Sequence, residues 1–340
     1  METILVTGGM GFIGSNFVHY MLKNHKEYKI VNVDKLTYAG NPENLKEYES
    51  FDENLYKFYK CDISDFESLL QIAKREKINY IVNFAAESHV DRSIDNPDIF
   101  LKTNILGTQA LLNVARKLNI QRFIQISTDE VYGSLKFEDP AFTEDLPLKP
   151  NSPYSASKAS ADLVVRAYHK TFNLPINITR CSNNYGPYQF PEKLIPLMIN
   201  NALNDKELPV YGTGENIRDW IFVEDHCEAV YLVLKEGEPG EIYNIGGNSE
   251  TSNLNLVKRL LKILNKPKSL ITFVKDRPGH DLRYAINYKK IKQELSWEPK
   301  TKLDEGLKFT VDWYLNNQEW LNHIINEEYL KYYDKMYKNR

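Results

Sequence analysis

A predicted strand, a glycine-rich turn and a predicted helix open this chain. The segment ILVTGGMGFIGSNFV places Gly8, Gly11 and Gly14 between the strand and the helix. The first glycine allows the tight turn, the second lets the backbone approach a pyrophosphate, and the third lets the helix pack on the strand. Free N–H groups and the dipole at the helix N-terminus favour such an anion. The segment therefore predicts a dinucleotide-binding unit in a parallel α/β fold.

An acidic residue farther along the chain bears on the choice of dinucleotide. Asp34 ends the second predicted strand, about 20 residues beyond the glycines, where a carboxylate suits free ribose hydroxyls and repels a 2′-phosphate. The sequence therefore favours NAD over NADP.

Asp62 follows the third strand and is either a cap on the adenine side of the pocket or a solvated loop residue. Ala85 and Ala86 either end a strand that a cofactor crosses or are small core residues.

Short apolar runs alternate with amphipathic stretches through the first half of the chain. This alternation predicts a Rossmann-type, doubly wound parallel sheet, whose runs such as YIVNF and RFIQIS are buried on both faces. The predicted strands are Ile4–Thr7, Lys29–Asp34, Tyr56–Lys60, Tyr80–Phe84, Phe123–Ser127 and Ile176–Arg180. The predicted helices are Gly11–Lys23, Leu69–Glu76, Pro97–Leu118 and Tyr154–Phe172.

The rhythm changes after about Arg180, where prolines punctuate the chain and clear strand–helix pairs become fewer. We predict a NAD-binding domain over residues 1–180 and a smaller C-terminal α/β substrate domain over residues 181–330. The two are expected to be partly interleaved, because Glu241–Gly246 reads as a strand that returns to the first sheet. Leu254–Leu264 is a further predicted helix. The last twenty residues are charged and tyrosine-rich, and form either a terminal helix or a partly disordered tail.

Composition narrows the classes of partner. The formal net charge is −3, with the basic residues spread out, so no strong field points to nucleic acid or to a membrane. The sequence shows no signal-peptide pattern and no apolar run long enough for a membrane span. Cys61, Cys181 and Cys227 lack paired spacing, so we expect neither a disulfide framework nor a metal site. A cytoplasmic protein is the expectation.

A tyrosine–lysine pair lies near the start of a predicted helix. In SPYSASK, Tyr154 and Lys158 are four residues apart and so share one helix face, with Ser152 as N-cap and Pro153 as first helical residue. An ammonium beside a phenol favours the phenolate and is expected to lower the phenol pKa toward neutrality. Such a phenolate can take a proton from a sugar hydroxyl while hydride leaves for nicotinamide. Taken alone, the spacing also fits a surface tyrosine.

Two acidic residues follow the preceding strand, in the run STDEVYG. Thr128, Asp129 and Glu130 lie at a strand's carboxyl end, where open α/β sheets bind ligands. Thr128 can hydrogen-bond the hydroxyl being oxidised. Hydride transfer needs no carboxylates there, whereas elimination of water needs an acid for the leaving hydroxyl and a base for the carbon proton. The alternative for Asp129 and Glu130 is a helix-start cap or a surface acidic pair.

With these motifs assembled, the sequence resembles the extended short-chain dehydrogenase/reductase superfamily, and within it the dTDP-glucose 4,6-dehydratase family. The glycine and YxxxK motifs mark only the superfamily, whereas the Asp–Glu pair is typical of the dehydratases. Further matching blocks are VDKLTYAGN, NFAAESHVDRSI, NSPYSASKAS, TRCSNNYGPYQFPEKLIPLMI, YGTGENIRDWIFVEDH and DRPGHDLRYAI. The resemblance implies that Tyr154 deprotonates the C4 hydroxyl, Glu130 removes the C5 proton and Asp129 protonates the departing C6 hydroxyl.

The resemblance also implies two sets of ligand contacts, a cofactor set and a nucleotide-sugar set. The cofactor set is Gly8, Gly11, Phe12, Ile13, Gly14, Asp34, Lys35, Thr37, Asp62, Ile63, Ala85, Ala86, Ser88, Thr103, Tyr154 and Lys158. The substrate set is Ser88, Thr128, Asn183, Lys193, Leu194, Pro209, Tyr211, Arg218, Asn253, Arg277 and His280. Both arginines suit the diphosphate, since a guanidinium presents paired donors. The family further implies a homodimer formed through a four-helix bundle from helices near 100–118 and 154–172.

Three alternatives remain open on the sequence. The same dehydration can act on a UDP-sugar, because contacts to the base and to C2 are few. A nucleotide-sugar 4-epimerase needs only the NAD site and the Tyr–Lys pair, and has no need of a glutamate beside an aspartate. A regulatory or structural NAD-binding protein without activity is disfavoured because all the expected catalytic residues are present.

Overall fold

The computed structural model describes residues 1–276, 279–325, 329 and 333. The strands are β1 (Glu2–Thr7), β2 (Tyr28–Asp34), β3 (Tyr56–Lys60), β4 (Tyr80–Asn83), β5 (Arg122–Thr128), β6 (Ile176–Cys181), β7 (Asn183–Tyr185), β8 (Leu208–Tyr211), β9 (Ile217–Phe222), β10 (Ile242–Ile245), β11 (Glu250–Ser252) and β12 (Ile271–Val274). The helices are α1 (Phe12–Asn24), α2 (Phe66–Arg75), α3 (Val90–Asp95), α4 (Pro97–Phe100), α5 (Thr108–Leu118), α6 (Pro153–Phe172), α7 (Leu194–Leu203), α8 (Val223–Glu236), α9 (Asn253–Ile263), α10 (Lys289–Leu295), α11 (Leu303–Asn316) and α12 (Gln318–Ile324).

A seven-stranded, all-parallel sheet organises the first half of the chain. Its strand order is β3-β2-β1-β4-β5-β6-β10, so the order reverses between β1 and β4. Leu5 pairs with Val31 on one side and with Ile81 on the other, which fixes the register of the three central strands. The predicted doubly wound α/β fold is confirmed. A reversal of this kind leaves a crevice at the strands' carboxyl ends, where ligands bind in such folds.

Helices cover both faces of this sheet because alternate residues of each strand point to opposite sides. In β1, Ile4 and Val6 pack into one core with α1 and α8, whereas Leu5 packs into the other with α2, α5 and α6. Each of these three side chains is fully buried. At about 25 cal/mol per Å² of apolar surface, this double burial is the main stabilisation of the sheet.

The stretch predicted as one helix over 97–118 contains an irregular middle. Between α4 and α5, residues Leu101–Gly107 form a π-helix. Asn104 in this segment is buried, and its side-chain amide donates to Ser157 Oγ at 2.8 Å and to the Glu87 carbonyl at 3.0 Å. Wider turns of this type occur often at functional sites. Here the widened segment ties α6 to the end of β4.

The later part of the chain builds a second core beside the first sheet. Strand β9 lies between β7 and β11 in a three-stranded sheet, and β8 pairs with β12 in parallel. Apolar faces of α7, α9 and α11 pack against these strands. Two later elements return to the first region, since α8 covers the large sheet and β10 pairs with β6 at its edge. The domain boundary near residue 180 stays a prediction.

The helices also bear on membrane crossing and on the C-terminal segment. In the described ranges, no helix has both the length and the apolar character that crossing a bilayer requires. The chain segment after Asn317 begins with α12, and the rest of the predicted terminal helix or tail lies largely outside the described residues.

Candidate active site

Two cavities meet at the carboxyl edge of the large sheet. The first, here called the cofactor cavity, lies over the ends of β1, β2, β4, β5 and β6. Every residue of the predicted cofactor set lines it: Gly8, Gly11, Phe12, Ile13, Gly14, Asp34, Lys35, Thr37, Asp62, Ile63, Ala85, Ala86, Ser88, Thr103, Tyr154 and Lys158. The structure thus brings together residues that are widely separated in sequence.

The glycine turn joins β1 to α1 through contacts that exclude side chains. Gly8 has φ +70°, and a Cβ there would lie 2.6 Å from the backbone of Ala85. A Cβ on Gly14 would lie 2.2 Å from the Gly8 carbonyl oxygen. Gly11 is the N-cap of α1, and no side chain caps that helix. Main-chain N–H groups and the positive end of the helix dipole therefore face the cofactor cavity, which fits the pyrophosphate of a dinucleotide.

Acidic groups line the part of the cofactor cavity next to the ends of β2 and β3. The Asp34 carboxylate accepts hydrogen bonds from the N–H groups of Met10 (3.0 Å) and Leu36 (2.8 Å), while burial raises its pKa. Lys35 Nζ lies 2.6 Å from Asp62 Oδ2. Burial acts to raise the pKa of Asp62, but hydrogen bonds from Lys35 and Ser64 lower it overall. Asp62 is thus a fixed, ion-paired part of the wall, and not a freely solvated loop residue.

The tyrosine–lysine pair lies on α6, whose first turn is strongly capped. Ser152 and Ser155 form a capping box, each hydroxyl accepting from the other's backbone N–H at 3.0 Å, and Pro153 is the first helical residue. The predicted N-cap is confirmed. Tyr154 and Lys158 are both buried on one side of the helix, and Lys158 Nζ donates to the Ile126 carbonyl oxygen at 2.6 Å.

The predicted lowering of the Tyr154 pKa is wrong for the protein alone. Burial raises the pKa of Tyr154 well above 10, and the negative charge of Glu130 acts in the same direction. Burial also lowers the pKa of Lys158, whose ammonium contacts a carbonyl oxygen of β5. The sequence shows the four-residue spacing of Tyr154 and Lys158. It does not show that Lys158 contacts a main-chain carbonyl of β5, or that acidic residues from the end of that strand lie close to Tyr154.

A buried ion pair holds α6 against the sheet behind this pair. Arg180 Nε donates to Asp162 Oδ2 at 2.9 Å, and Arg180 also donates to the Tyr132 hydroxyl at 2.9 Å. The Asp162 and Arg180 side chains are 1% and 4% exposed. Breaking such a pair leaves an uncompensated buried charge at a cost of about 3–5 kcal/mol. The helix that carries Tyr154 is therefore fixed in position.

The Thr128–Asp129–Glu130 run lies where β5 ends in a single 3₁₀ turn. Thr128 Oγ1 accepts from the Glu130 N–H and donates to Asp129 Oδ1, both at 3.3 Å. Within the described part of the chain, the other Asp129 oxygen is buried without a hydrogen-bond partner. Burial, with the charges of Glu130 and Asp219, raises the Asp129 pKa well above 3.8. Asp129 therefore favours its protonated form, as a general acid must.

A second cavity, here called the substrate cavity, adjoins the first. Glu130, Asn183, Glu192 and Lys193 line both cavities. Of the predicted substrate set, the substrate cavity is lined by Asn183, Lys193, Leu194, Pro209, Tyr211, Arg218, Asn253 and His280. Ser88 and Thr128 lie in the cofactor cavity, and Arg277 lies outside the described residues. A ligand spanning both cavities would pass Glu130.

The polar residues of the substrate cavity are held by contacts of their own. Arg218 donates to the main-chain carbonyls of Ile217 (2.7 Å) and Asp281 (2.9 Å), and its guanidinium lies 4.2 Å from the Tyr284 ring centroid. Lys193 Nζ donates to the Ser88 carbonyl at 2.8 Å, and His280 Nδ1 lies 2.6 Å from Asp276 Oδ1. These contacts fix the Arg218 and Lys193 cations at the cavity wall, which suits an anionic ligand.

Several residues of the cavity walls were not predicted from the sequence. Glu87, Gln189, Phe190 and Glu192 line the cofactor cavity although no role was predicted for them. They lie inside the blocks NFAAESHVDRSI and TRCSNNYGPYQFPEKLIPLMI, so the blocks themselves were the available signal. Residue type alone does not separate a cavity-lining glutamate from a solvated one.

Sequence and structure comparisons agree on the kind of protein this chain resembles. The family model for GDP-mannose 4,6 dehydratase matches residues 5–310. A dTDP-glucose 4,6-dehydratase of Escherichia coli is 50% identical, over 96% of this chain and 97% of the relative. The dTDP-glucose 4,6-dehydratase of Bacillus anthracis, solved with NAD, is 52% identical with a TM-score of 0.89, over 95% of this chain and all of that one.

A more distant neighbour shows that the fold alone does not distinguish a dehydratase from an epimerase. The UDP-glucose 4-epimerase of Thermotoga maritima, solved with UDP-glucose, is 32% identical with a TM-score of 0.85, over 93% of this chain and 99% of that one. Dehydratases and epimerases thus share this architecture. The distinction between them has to come from the side chains at the site.

The glycine turn generates a prediction with an internal comparison. Gly14→Ala should destabilise the protein by about 1–3 kcal/mol and reduce bound NAD, because its methyl group meets a fixed carbonyl oxygen. Gly11→Ala meets the same oxygen only at 3.3 Å, so it should lower bound NAD with little loss of stability. Urea unfolding of cofactor-free protein and the NAD content after purification measure the two effects. Equal urea midpoints for Gly14→Ala and the unchanged protein would contradict this account.

Proposed function

Because the chain belongs to the dTDP-glucose 4,6-dehydratase family, we propose that it converts dTDP-glucose to dTDP-4-keto-6-deoxyglucose with NAD as cofactor. The observation that carries this proposal is the Asp129–Glu130 pair beside Tyr154, at the junction of the two cavities. Oxidation at C4 alone would not require these two acidic residues.

The chemistry of the sugar sets the order of the steps. The hydrogen on C5 is not acidic in an ordinary hexose, but a ketone at C4 makes it removable. Oxidation at C4 therefore comes first and loss of water across C5 and C6 second. Hydride addition at C6 comes last, together with return of a proton from Glu130 to C5. The hydrogen taken from C4 is the one given to C6, so no external reductant is consumed.

Tyr154 is the proposed base for the C4 hydroxyl, and Thr128 a hydrogen-bonding partner of that hydroxyl. Bound NAD would supply the redox chemistry, as acceptor of the C4 hydrogen and its donor at C6, and its oxidised ring adds a positive charge that favours the Tyr154 phenolate. The ammonium of Lys158, buried on the same helix, would also favour the Tyr154 phenolate when it is charged. The protein alone holds Tyr154 protonated, which makes phenolate formation depend on the loaded site.

The two acids take different parts in the elimination. Asp129 is fully buried and its pKa is raised, which favours the protonated form that can give a proton to the departing C6 hydroxyl. Glu130 is partly exposed, lines both cavities, and is the proposed base for the C5 proton. Two neighbouring carboxyl groups with different environments can be acid and base at the same pH.

The nucleotide part of the substrate is assigned to the substrate cavity. Arg218, Lys193 and His280 supply donors for a diphosphate, and the ring of Tyr211 adds an aromatic wall. A structure from Streptomyces venezuelae, a dTDP-glucose 4,6-dehydratase 47% identical to this chain with a TM-score of 0.91, was solved with NAD and dTDP. That relative supports a thymidine nucleotide as the ligand here.

We further propose that the chain works as a homodimer in the cytoplasm, where its nucleotide cofactor and substrate are made. Large apolar side chains stand exposed on the helical stretch 97–118 and on α6, including Leu106 at 55% and Leu163 at 58%. Exposed apolar patches of this kind mark association surfaces. Two such helices from each copy would form a four-helix bundle.

A substrate panel tests the proposed reaction. The purified protein should convert dTDP-glucose, without added reductant, to a product with the alkaline ultraviolet absorbance of a 4-keto sugar, and NMR of the product should show a methyl group at C6. Turnover of a UDP-sugar with no product from dTDP-glucose would show that the substrate is a UDP-sugar and not dTDP-glucose. Interconversion of gluco and galacto sugars would replace the reaction by 4-epimerisation.

The Glu130 assignment has its own test. Glu130→Gln should still reduce bound NAD when dTDP-glucose is added, because C4 oxidation uses Tyr154, but it should stall before water is lost. The accumulated reduced nicotinamide is followed by its absorbance. Glu138→Gln, a change at an exposed glutamate, is the matched control and should turn over normally. Full turnover by Glu130→Gln would remove Glu130 from the base role.

The association surface is tested by reversing its polarity. Leu163→Glu should shift the molar mass, measured by light scattering, from two chains toward one, since it places a charge in the proposed bundle. Phe273→Glu is the control, because Phe273 is similarly exposed at 56% but lies on β12. A single-chain mass for the unchanged protein would contradict the dimer.

A further inference from the structure

Three wall segments of the cofactor cavity come from distant parts of the sequence. Segment 35–40 follows β2, segment 87–92 follows β4, and segment 189–193 precedes α7. Each contributes lining residues, for example Thr37, Ser88 and Phe190. No strand pairing joins the three segments in the described structure, so side chains must hold this part of the wall together.

One residue from each segment meets the other two. Arg92 Nε donates to Glu192 Oε2 at 3.0 Å, and the Tyr38 hydroxyl donates to Glu192 Oε1 at 3.0 Å. The Arg92 guanidinium carbon lies 3.7 Å from the centroid of the Tyr38 ring, in cation–π range. These three residues, here called the clasp, form a closed triangle in which both glutamate oxygens are used.

Burial makes these contacts strong. The Glu192 side chain is 2% exposed and that of Arg92 is 23% exposed. Burial and the charge of Glu192 raise the pKa of Tyr38 well above 10, so the phenol remains a donor to the carboxylate. A carboxylate in such a site that loses a partner keeps its desolvation cost without the compensating bond. Opening the clasp is therefore unfavourable while all three side chains are present.

Of the three, Glu192 lines both the cofactor cavity and the substrate cavity, whereas Tyr38 and Arg92 line neither of these two. Tyr38 and Arg92 stand behind it and act through it, so they are positioning residues. Two further contacts reinforce the same segments. Lys193 Nζ donates to the Ser88 carbonyl at 2.8 Å, and the Phe190 ring packs edge-on against Tyr38 at 5.6 Å between centroids. Together with the clasp, these contacts hold the three wall segments of the cofactor cavity to one another.

We propose that the clasp of Tyr38, Arg92 and Glu192 retains NAD in its cavity from one turnover to the next. This inference rests on the proposed function, in which the cofactor ends each cycle in its starting oxidised form. An enzyme of that kind gains nothing from releasing NAD, and each release empties the site. Through Glu192, the clasp links the wall of the cofactor cavity to segment 189–193, which also contributes to the substrate cavity.

The test measures NAD retention on the purified holoenzyme. Tyr38→Phe removes one hydrogen bond to a carboxylate and should raise the rate of NAD loss about tenfold. Arg92→Met should raise it more, and Arg92→Lys, which keeps the charge, should fall between Arg92→Met and the unchanged protein. The protein is diluted, gel-filtered at intervals and analysed for remaining NAD. Clasp variants should also depend on added NAD for activity, with kcat largely restored at saturation.

Tyr80→Phe is the matched control. Its hydroxyl donates to Gln121 Oε1 at 2.7 Å, but Tyr80 begins β4, at the opposite edge of the sheet from the cavity. It should retain NAD as the unchanged protein does. Tyr38→Phe retaining NAD equally well would overturn the clasp. So would a loss of urea stability in cofactor-free Tyr38→Phe large enough to account for the NAD loss. An unchanged protein that neither binds NAD nor dehydrates dTDP-glucose would instead overturn the proposed function.

Discussion

The approach of helix α1 to strand β1 is the contact on which the rest of the site depends. It is possible only because Gly14 has no side chain, since a Cβ there would lie 2.2 Å from the Gly8 carbonyl oxygen. The tight turn brings uncapped N–H groups to the carboxyl edge of the sheet. The loops that follow β2, β4, β5 and β6 begin at the same edge and carry the other functional side chains. The contact between Gly14 and Gly8 therefore fixes the position of the turn around which these side chains meet.

Burial then decides the charge states at this edge. It raises the pKa of Asp129 and of Tyr154, and lowers that of Lys158. All three shifts favour the neutral form, as expected for groups removed from water. The site thus opposes the charged form of each of these groups, and a charged ligand can shift their equilibria. Reactivity in such a site depends on what is bound as well as on the residues present.

The sequence predicts the first half of the fold well because its signals are local. The glycine turn, the apolar strands and the Ser–Pro start of α6 each lie within a short segment, and the structure places them as predicted. Helices α7 and α8 were not predicted, because most of their residues are buried and leave no wide polar face, and because Pro196 lies within α7. The π-helix over Leu101–Gly107 was also missed, since it depends on the buried amide of Asn104 and its partners on other elements. The pairing of Tyr38 with Glu192 spans 154 positions, and no local pattern indicates it.

The late return of β10 has a consequence for how the chain is made. Ile242 pairs with Ile178, although β6 is synthesised well before β10. Until β10 emerges from the ribosome, one edge of β6 carries unpaired backbone groups, the kind of edge on which strands of other molecules can add. Helix α8 emerges in the same interval and covers the sheet. Co-translational folding of the large sheet therefore cannot finish before β10 has been made, and a fragment that ends after β6 would expose an aggregation-prone edge.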